Sequence, residues 1–197
     1  MKHYFIDDGA KHEFAYVDYT FGGKVFRFAT HAGVFSKDHV DPATDVLLNA
    51  IPPLRGRLLD LGCGYGVIGI VLARAYGVKV TQCDVNAAAV ALTRRNCERN
   101  GVESDVLVSD CFGGVSGVFD CITLNPPIHA GKAVTYAMYE AAPAYLSPGG
   151  VLYVVTLKKH GAESTITKLT EVFGVCEVIH KKKGVYVLAC EKKCDPT

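Results

Sequence analysis

The run "FDCITL" (119–124) is an apolar strand pattern that stops abruptly at Asn125-Pro126-Pro127, in the stretch "LNPPIHAGK". Proline lacks an N–H and fixes φ, and it restricts the residue before it, so neither a strand nor a mid-helix continues through this point. An amide side chain and an exposed carbonyl are left at a stiff strand tip, two acceptors held in place at little entropic cost. Upstream, "LLDLGCGYGVIG" (58–69) joins an apolar strand to a helix through Gly62, Gly64 and Gly66. Glycines there permit a sharp turn and close ligand approach, with an electropositive helix N-terminus behind them. Asp60 lies at the end of that strand, where a carboxylate would face a cationic amine better than a pyrophosphate. Asp84 ends the next strand, in "TQCDV", where an acid can accept from both hydroxyls of a ribose. Asp110, in "SDCF", could accept from an adenine exocyclic amine. Three acids at the ends of three successive strands, beside one glycine loop, describe a nucleoside site.

The same loop contains a literal G-x-G-x-x-G, Gly64 to Gly69. A dinucleotide fingerprint has its first glycine directly after the strand, and here Gly62 holds that place. The nicotinamide reading also leaves Asn125-Pro126-Pro127 without a role, and no Tyr/Lys or His/Asp hydride-transfer set is evident.

Positioning these residues requires regular elements. "AYVDYT-FGGK-VFRFAT" alternates around a glycine turn and predicts a β-hairpin, 15–20 with 24–30. Asp41 can cap a helix with Pro42 at its first position. From Arg57 the rhythm becomes strand–helix: "RLLDLG", "GVIGIVLARAYG", "VKVTQCDV", "NAAAVALTRRNCERNG", "SDVLVSD", "FDCITLN", "KAVTYAMYEAAPAYL", "GGVLYVVTL" and "ESTITKLTEVFG". Asn86 is the expected cap and Gly101 the expected stop of the second of these helices. The tail, "CEVIHKKKGVYVLACEKK", gives two strands around a Lys-Gly turn, antiparallel to each other because no crossover helix joins them. Near-continuous apolar strands imply an α/β, doubly wound, mostly parallel sheet covered on both faces, with one antiparallel strand near its C-terminal end.

The chain has 197 residues, enough for one domain with a substantial core. We expect a single domain over 1–197, with a hairpin extension (1–34) before a core (35–197). The net charge of +1 carries no global basic signature, but residues 151–197 hold eight Lys/Arg against five Asp/Glu. That asymmetry permits a nucleic-acid partner. The eight cysteines are scattered with no C-x-x-C and no zinc spacing. They are expected to be small buried thiols in a reducing compartment, and no metal site is expected. No apolar run is long enough for a membrane span, and "MKHYFIDDGAKHE" lacks the apolar core of a signal peptide. A cytoplasmic location without membrane contact is therefore expected, and the oligomeric state stays open.

Taken together, "LLDLGCGYG", "CDVN", "SDCF" and the Pro148–Gly150 turn resemble the motifs of class I S-adenosylmethionine-dependent methyltransferases. The resemblance covers about residues 35–192 and implies a seven-stranded Rossmann-like methyltransferase fold. It implies a cofactor site built from Asp60, Gly62, Gly64, Gly66, Asp84, Val85, Asp110, Cys111 and Asn125. In that superfamily N-P-P serves acceptors whose nitrogen is conjugated to a planar system, which gives Asn125, Pro126 and Pro127 the catalytic role. The residue after the prolines is usually aromatic and stacks on the target; here it is Ile128, and His129 could stack instead. Lys132 could reach a phosphate or simply begin a helix. "GVFSKDHVDPATDVLL", "NPPIHAGK" and "KKGVYVLA" further resemble the small-subunit ribosomal RNA guanine-N2 methyltransferases and their stand-alone relatives. By that resemblance Phe35 and Ser36 lie over the cofactor, and the partner is RNA. The implied activity is methylation of a guanine N2 amine in ribosomal RNA. The alternatives are a protein glutamine amide or adenine N6 as acceptor, a nicotinamide-dependent oxidoreductase, and a binding module that keeps the fold without catalysis.

Overall fold

A computed structural model describes residues 14–34, 36–127 and 131–193. The chain starts with a hairpin, β1 (Ala15–Phe21) and β2 (Lys24–Thr30), whose turn residues Gly22 and Gly23 both take positive φ. Such a turn matches the right-handed twist of the two strands. Helix α1 (Pro42–Ala50) follows, with the Asp41 carboxylate accepting from the Thr44 N–H at 3.1 Å. Next come β3 (Arg57–Leu61), α2 (Val67–Tyr76), β4 (Lys79–Asp84), α3 (Ala87–Asn100), β5 (Ser104–Val108) and β6 (Phe119–Leu124). The chain ends with α4 (Lys132–Tyr145), β7 (Leu146–Leu157), α5 (Ala162–Phe173), β8 (Glu177–Lys182) and β9 (Val185–Glu191). Asn86 caps α3 through its side chain, and Gly77 and Gly101 close α2 and α3 in the left-handed conformation.

Seven strands form one sheet in the order β5-β4-β3-β6-β7-β9-β8. All neighbours are parallel except those of β9, which runs antiparallel to both β7 and β8. The sheet is therefore the doubly wound, mostly parallel one expected, and its reversed strand lies inside the edge. The expected Pro148–Gly150 turn before a strand is instead an irregularity within β7. Register shifts between Phe119 and Cys121, and Gly149 takes a φ of 76°. Backbone bonds between Gly149, Gly150 and Lys192 keep the ladder closed there. A one-turn 3₁₀ segment, Lys158–His160, separates β7 from α5 and has no sequence signal of its own.

Both faces of the sheet are buried. Phe26 and Phe28 of the hairpin, Leu47 and Leu48 of α1 and Ile70 and Leu72 of α2 fill one side. Tyr139 of α4 with Leu169 and Phe173 of α5 fill the other. Among the described residues no helix is long and apolar enough to cross a membrane.

Hydrogen bonds stitch the hairpin to α3. The Asn96 amide accepts from the Ala29 N–H at 2.7 Å and donates to the Ala29 carbonyl at 3.0 Å. One turn along, Asn100 does the same with Arg27, at 3.1 Å in both directions. Residues four apart on a helix share a face, as do residues two apart on a strand, so the two amides meet the two peptide units in register. Asn96 also donates to the Tyr65 carbonyl at 2.8 Å, which ties the hairpin to the glycine loop.

Candidate active site

Parallel strands deliver their carboxyl ends to one edge of the sheet, and the chemistry-bearing residues collect there. Gly62 and Gly64 take φ of 71° and 58°, and no atom lies within 4 Å of where a Cβ would stand on either. The loop thus turns a bare backbone face toward open space. Gly69, by contrast, packs against the Gln82 side chain with no room for a Cβ. The third glycine of the literal hexad is a helix–strand packing residue.

An account of the loop's N–H groups decides what the loop can hold. Gly62 and Cys63 both donate to the Cys83 carbonyl, at 2.8 and 2.9 Å, and Gly66 donates to the Cys63 carbonyl at 2.9 Å. Gly64 donates to Asp84 Oδ2 at 2.9 Å. In the first turn of α2, Gly69 donates to Asp60 Oδ2 at 2.9 Å. Four loop N–H groups, of Gly62, Cys63, Gly64 and Gly66, are thus engaged within the protein, and the Asp60 carboxylate takes the Gly69 N–H in the first turn of α2.

That result corrects one expectation. Asp60 does not face a ligand amine. It is fully buried, with Oδ2 on Gly69 and Oδ1 accepting from the Thr123 hydroxyl at 3.1 Å. Burial raises its pKa to about 7, against the opposing pull of those two hydrogen bonds. Asp60 joins β3, β6 and α2, and so positions the glycine loop from behind.

Asp84 lies at the end of β4 beside the glycine loop. It is half-buried, with Oδ1 accepting from the Asn86 N–H and Oδ2 from the Gly64 N–H, both at 2.9 Å. Each oxygen keeps a further lone pair for a ligand hydroxyl. Burial holds its pKa above the ordinary carboxylate range, with the backbone donors working against it. Val85 follows it on the surface, 38% exposed. Asp110 is exposed two residues beyond β5, and Cys111 beside it takes a φ of 49°. The Ser109 hydroxyl donates to the Cys111 carbonyl at 2.8 Å and holds that turn. An open glycine face, with the Asp84 and Asp110 carboxylates at the same sheet edge, fits S-adenosylmethionine, a nucleoside with no phosphate.

Asn125 stands at the tip of β6, the strand beside β3, and is half-buried with Pro126 and Pro127. Its amide nitrogen donates to Asp41 Oδ2 and to Thr44 Oγ1, each at 3.0 Å. A carboxylate only accepts, so the edge of the amide facing Asp41 has to be the nitrogen. Both amide hydrogens are thereby occupied, and the oxygen has no donor among the described residues. The cap of α1 thus doubles as the clamp that orients Asn125. Asp41 and Thr44 lie over eighty residues away in sequence, and only the capping role of Asp41 was legible there. Lys132 is the first residue of α4, exposed and without an ion pair among the described residues. Phe35, Ile128 and His129 lie outside the described residues. Neighbouring Ser36 takes a φ of 56°, and its carbonyl accepts from the Tyr65 hydroxyl at 3.3 Å.

With this geometry in hand, comparison with known proteins is consistent. An uncharacterized Bacillus subtilis protein, YbxB, is 41% identical over 175 residues, covering 86% of this chain and 87% of that protein. Ribosomal RNA small subunit methyltransferase C of Aeromonas hydrophila is 44% identical over 128 residues, but they make up only 37% of its length. A T. thermophilus 16S rRNA N2 methyltransferase, solved with AdoMet and guanosine, superposes with a TM-score of 0.83 at 33% identity. That match covers 91% of this chain and 51% of the other. The chain thus spans about half or less of these named rRNA methyltransferases and most of YbxB. Residues 25–189 match the methyltransferase small domain, more than half of the sequence. On the glycine loop, the strand-end acids, the N-P-P tip and this match, the chain belongs to the methyltransferase small domain family.

Proposed function

We propose that this S-adenosylmethionine-dependent methyltransferase acts on a nitrogen conjugated to a planar ring, the exocyclic N2 amine of a guanine in ribosomal RNA. The observation that carries the reading is the clamped Asn125, whose only uncommitted edge is an acceptor. An amine conjugated to a ring is a poor nucleophile because its lone pair is delocalised. Its two N–H groups donate to Asn125 Oδ1 and to the Pro126 carbonyl. That pair of bonds holds the nitrogen and favours localisation of its lone pair toward the donor. S-adenosylmethionine, when bound, supplies the methyl group on a sulfonium. Displacement is in line, with inversion at the methyl carbon; the excess proton leaves the product nitrogen for water afterwards. No covalent intermediate and no strong general base are needed. The positive charge of the donor is lost in the process, so a polar site with little water favours the transition state. Asp84 holds the ribose and Asp110 the adenine amine. The guanosine in the T. thermophilus structure supports guanine over adenine N6 or a glutamine amide, and the name of the Aeromonas relative supports ribosomal RNA.

The reading is tested by transferring labelled methyl to total RNA and total protein, followed by nucleoside mass analysis. Label in N2-methylguanosine is expected; label only in protein overturns the substrate. Asn125→Ala should reduce turnover by roughly 10²-fold or more and spare donor affinity, the scale of one lost preorganised polar contact. Asp84→Ala should mainly weaken donor binding. An Asn125→Ala variant that lost donor affinity instead would show that Asn125 serves the cofactor.

A further inference from the structure

We infer that the carboxyl edge of the sheet carries a second functional feature beside the acceptor tip: a basic rim that takes the phosphate backbone of the RNA substrate. The inference rests on the reading of RNA as substrate. It starts from topology. Strand β7 lies next to β6, so the segment after it, Lys158–His160, emerges one strand away from Asn125. Strand β8 is parallel to β7 across β9, so its last residues, Lys181 and Lys182, and the turn residue Lys183 arrive at the same edge. Register confirms the meeting: Val185 pairs with both Leu157 and Lys182, and the Lys158 N–H donates to the Gly184 carbonyl at 2.8 Å.

Six basic side chains from two segments, about 20 residues apart, are thus gathered on one rim: Lys158, Lys159, His160, Lys181, Lys182 and Lys183. All six are exposed, and none forms an ion pair among the described residues. Glu163, in the first turn of α5, is the nearest acid in sequence and engages none of them. Lysines on an edge strand commonly serve only to prevent sheet-to-sheet pairing. Here the placement differs. The amino half of β8, Glu177, Val178 and Ile179, holds no lysine, and the charge is confined to the end beside the acceptor site. Lys183 also takes a φ of 48° in the two-residue turn, a position that asparagine or glycine fills with less strain. An ammonium is held at the apex of the turn despite that cost. Across the sheet the donor half, the acceptor tip and the basic rim follow one another, so a strand lying along the rim would bring its base to Asn125. Phosphates exchange condensed counterions for lysines, and this term is independent of sequence.

The test uses the full chain with Lys158, Lys159, Lys182 and Lys183 changed to Gln, leaving Lys181 on the Tyr186 ring. The acceptor is small-subunit ribosomal RNA transcribed in vitro. Expected are a KM for RNA raised tenfold or more, an unchanged kcat at saturating RNA, and unchanged S-adenosylhomocysteine affinity and Tm. The slope of log Kd for RNA against log salt should shrink by about 3, at roughly 0.7 per lost contact. Wild-type KM and salt slope in the variant would overturn the rim alone. A wild-type chain that neither binds nor methylates RNA would overturn the substrate reading, and the rim with it.

Discussion

Two side-chain arrangements set the chemistry at the scale of the residue. Thr44 gives Asn125 one of its two acceptors, and it does so from a helix cap it does not need to leave. Thr44→Val keeps the shape and removes that acceptor, so the amide loses half its clamp. We expect turnover to fall several-fold to tenfold with donor Kd unchanged, and Thr44→Ser to restore it. A fall in donor affinity with normal turnover would assign Thr44 to the cofactor site instead. Asp60 makes the second prediction. It holds its proton to about pH 7 when folded and releases it near 3.8 when unfolded. Between those values the folded state binds more protons, so the contribution of this group to stability falls as pH rises through that window and is constant outside it. Asp60→Asn can keep both hydrogen bonds, to Gly69 and Thr123, without a titrating group. From pH 5 to pH 8 the wild type should lose about 3 kcal/mol relative to this variant, at about 1.4 kcal/mol per pH unit within the window. Urea midpoints that run parallel across this range would sink the assignment.

Elements are joined in this protein by side-chain amides as much as by apolar contact. Asn96 satisfies the N–H and carbonyl of Ala29 and the carbonyl of Tyr65 in a fully buried position. Asn96→Ala strands all three, and unpaired buried polar groups cost about 1–3 kcal/mol each. A loss of about 3–5 kcal/mol in urea denaturation is expected, with donor affinity reduced as well because the glycine loop loses its tie. A loss under 1 kcal/mol would mean that water replaces the amide. The same stitching leads us to propose that residues 1–197 act as one domain.

For the whole molecule, the division of labour runs along the sheet. In the proposed arrangement, strands β5, β4 and β3 present the donor site, β6 the acceptor tip, and β7, β9 and β8 the basic rim. S-adenosylhomocysteine binds only the folded form, so at 100 times its Kd it should add about 2.7 kcal/mol, visible as a rise in Tm. NADH should add nothing, since the Gly62, Gly64, Gly66 and Gly69 N–H groups are already engaged within the protein. A single unfolding transition is expected with or without the ligand; a separate early transition lost on removing residues 1–34 would divide the domain.

Much of this was legible in the sequence. Glycine turns, caps and hydrophobic period are local signals, so the hairpin, the five helices and the strand order of events along the chain followed from residue types alone. That Asp84, Asp110 and Asn125 collect at one edge was legible because strand ends in a parallel sheet share that edge by construction. What folding alone decided was whether each polar group faces outward or is consumed. Asp60 and Asp84 have the same residue type and the same place at a strand end, yet one is sealed against α2 and the other is half-exposed beside the glycine loop. Asn125 gained its orientation from Asp41 and Thr44, and the Lys158 N–H met the Gly184 carbonyl, through pairings that cross tens of residues. Sequence period reports which face a residue takes on its own element. It carries no record of which distant element that face will meet, and hydrogen-bond satisfaction is settled only by that meeting.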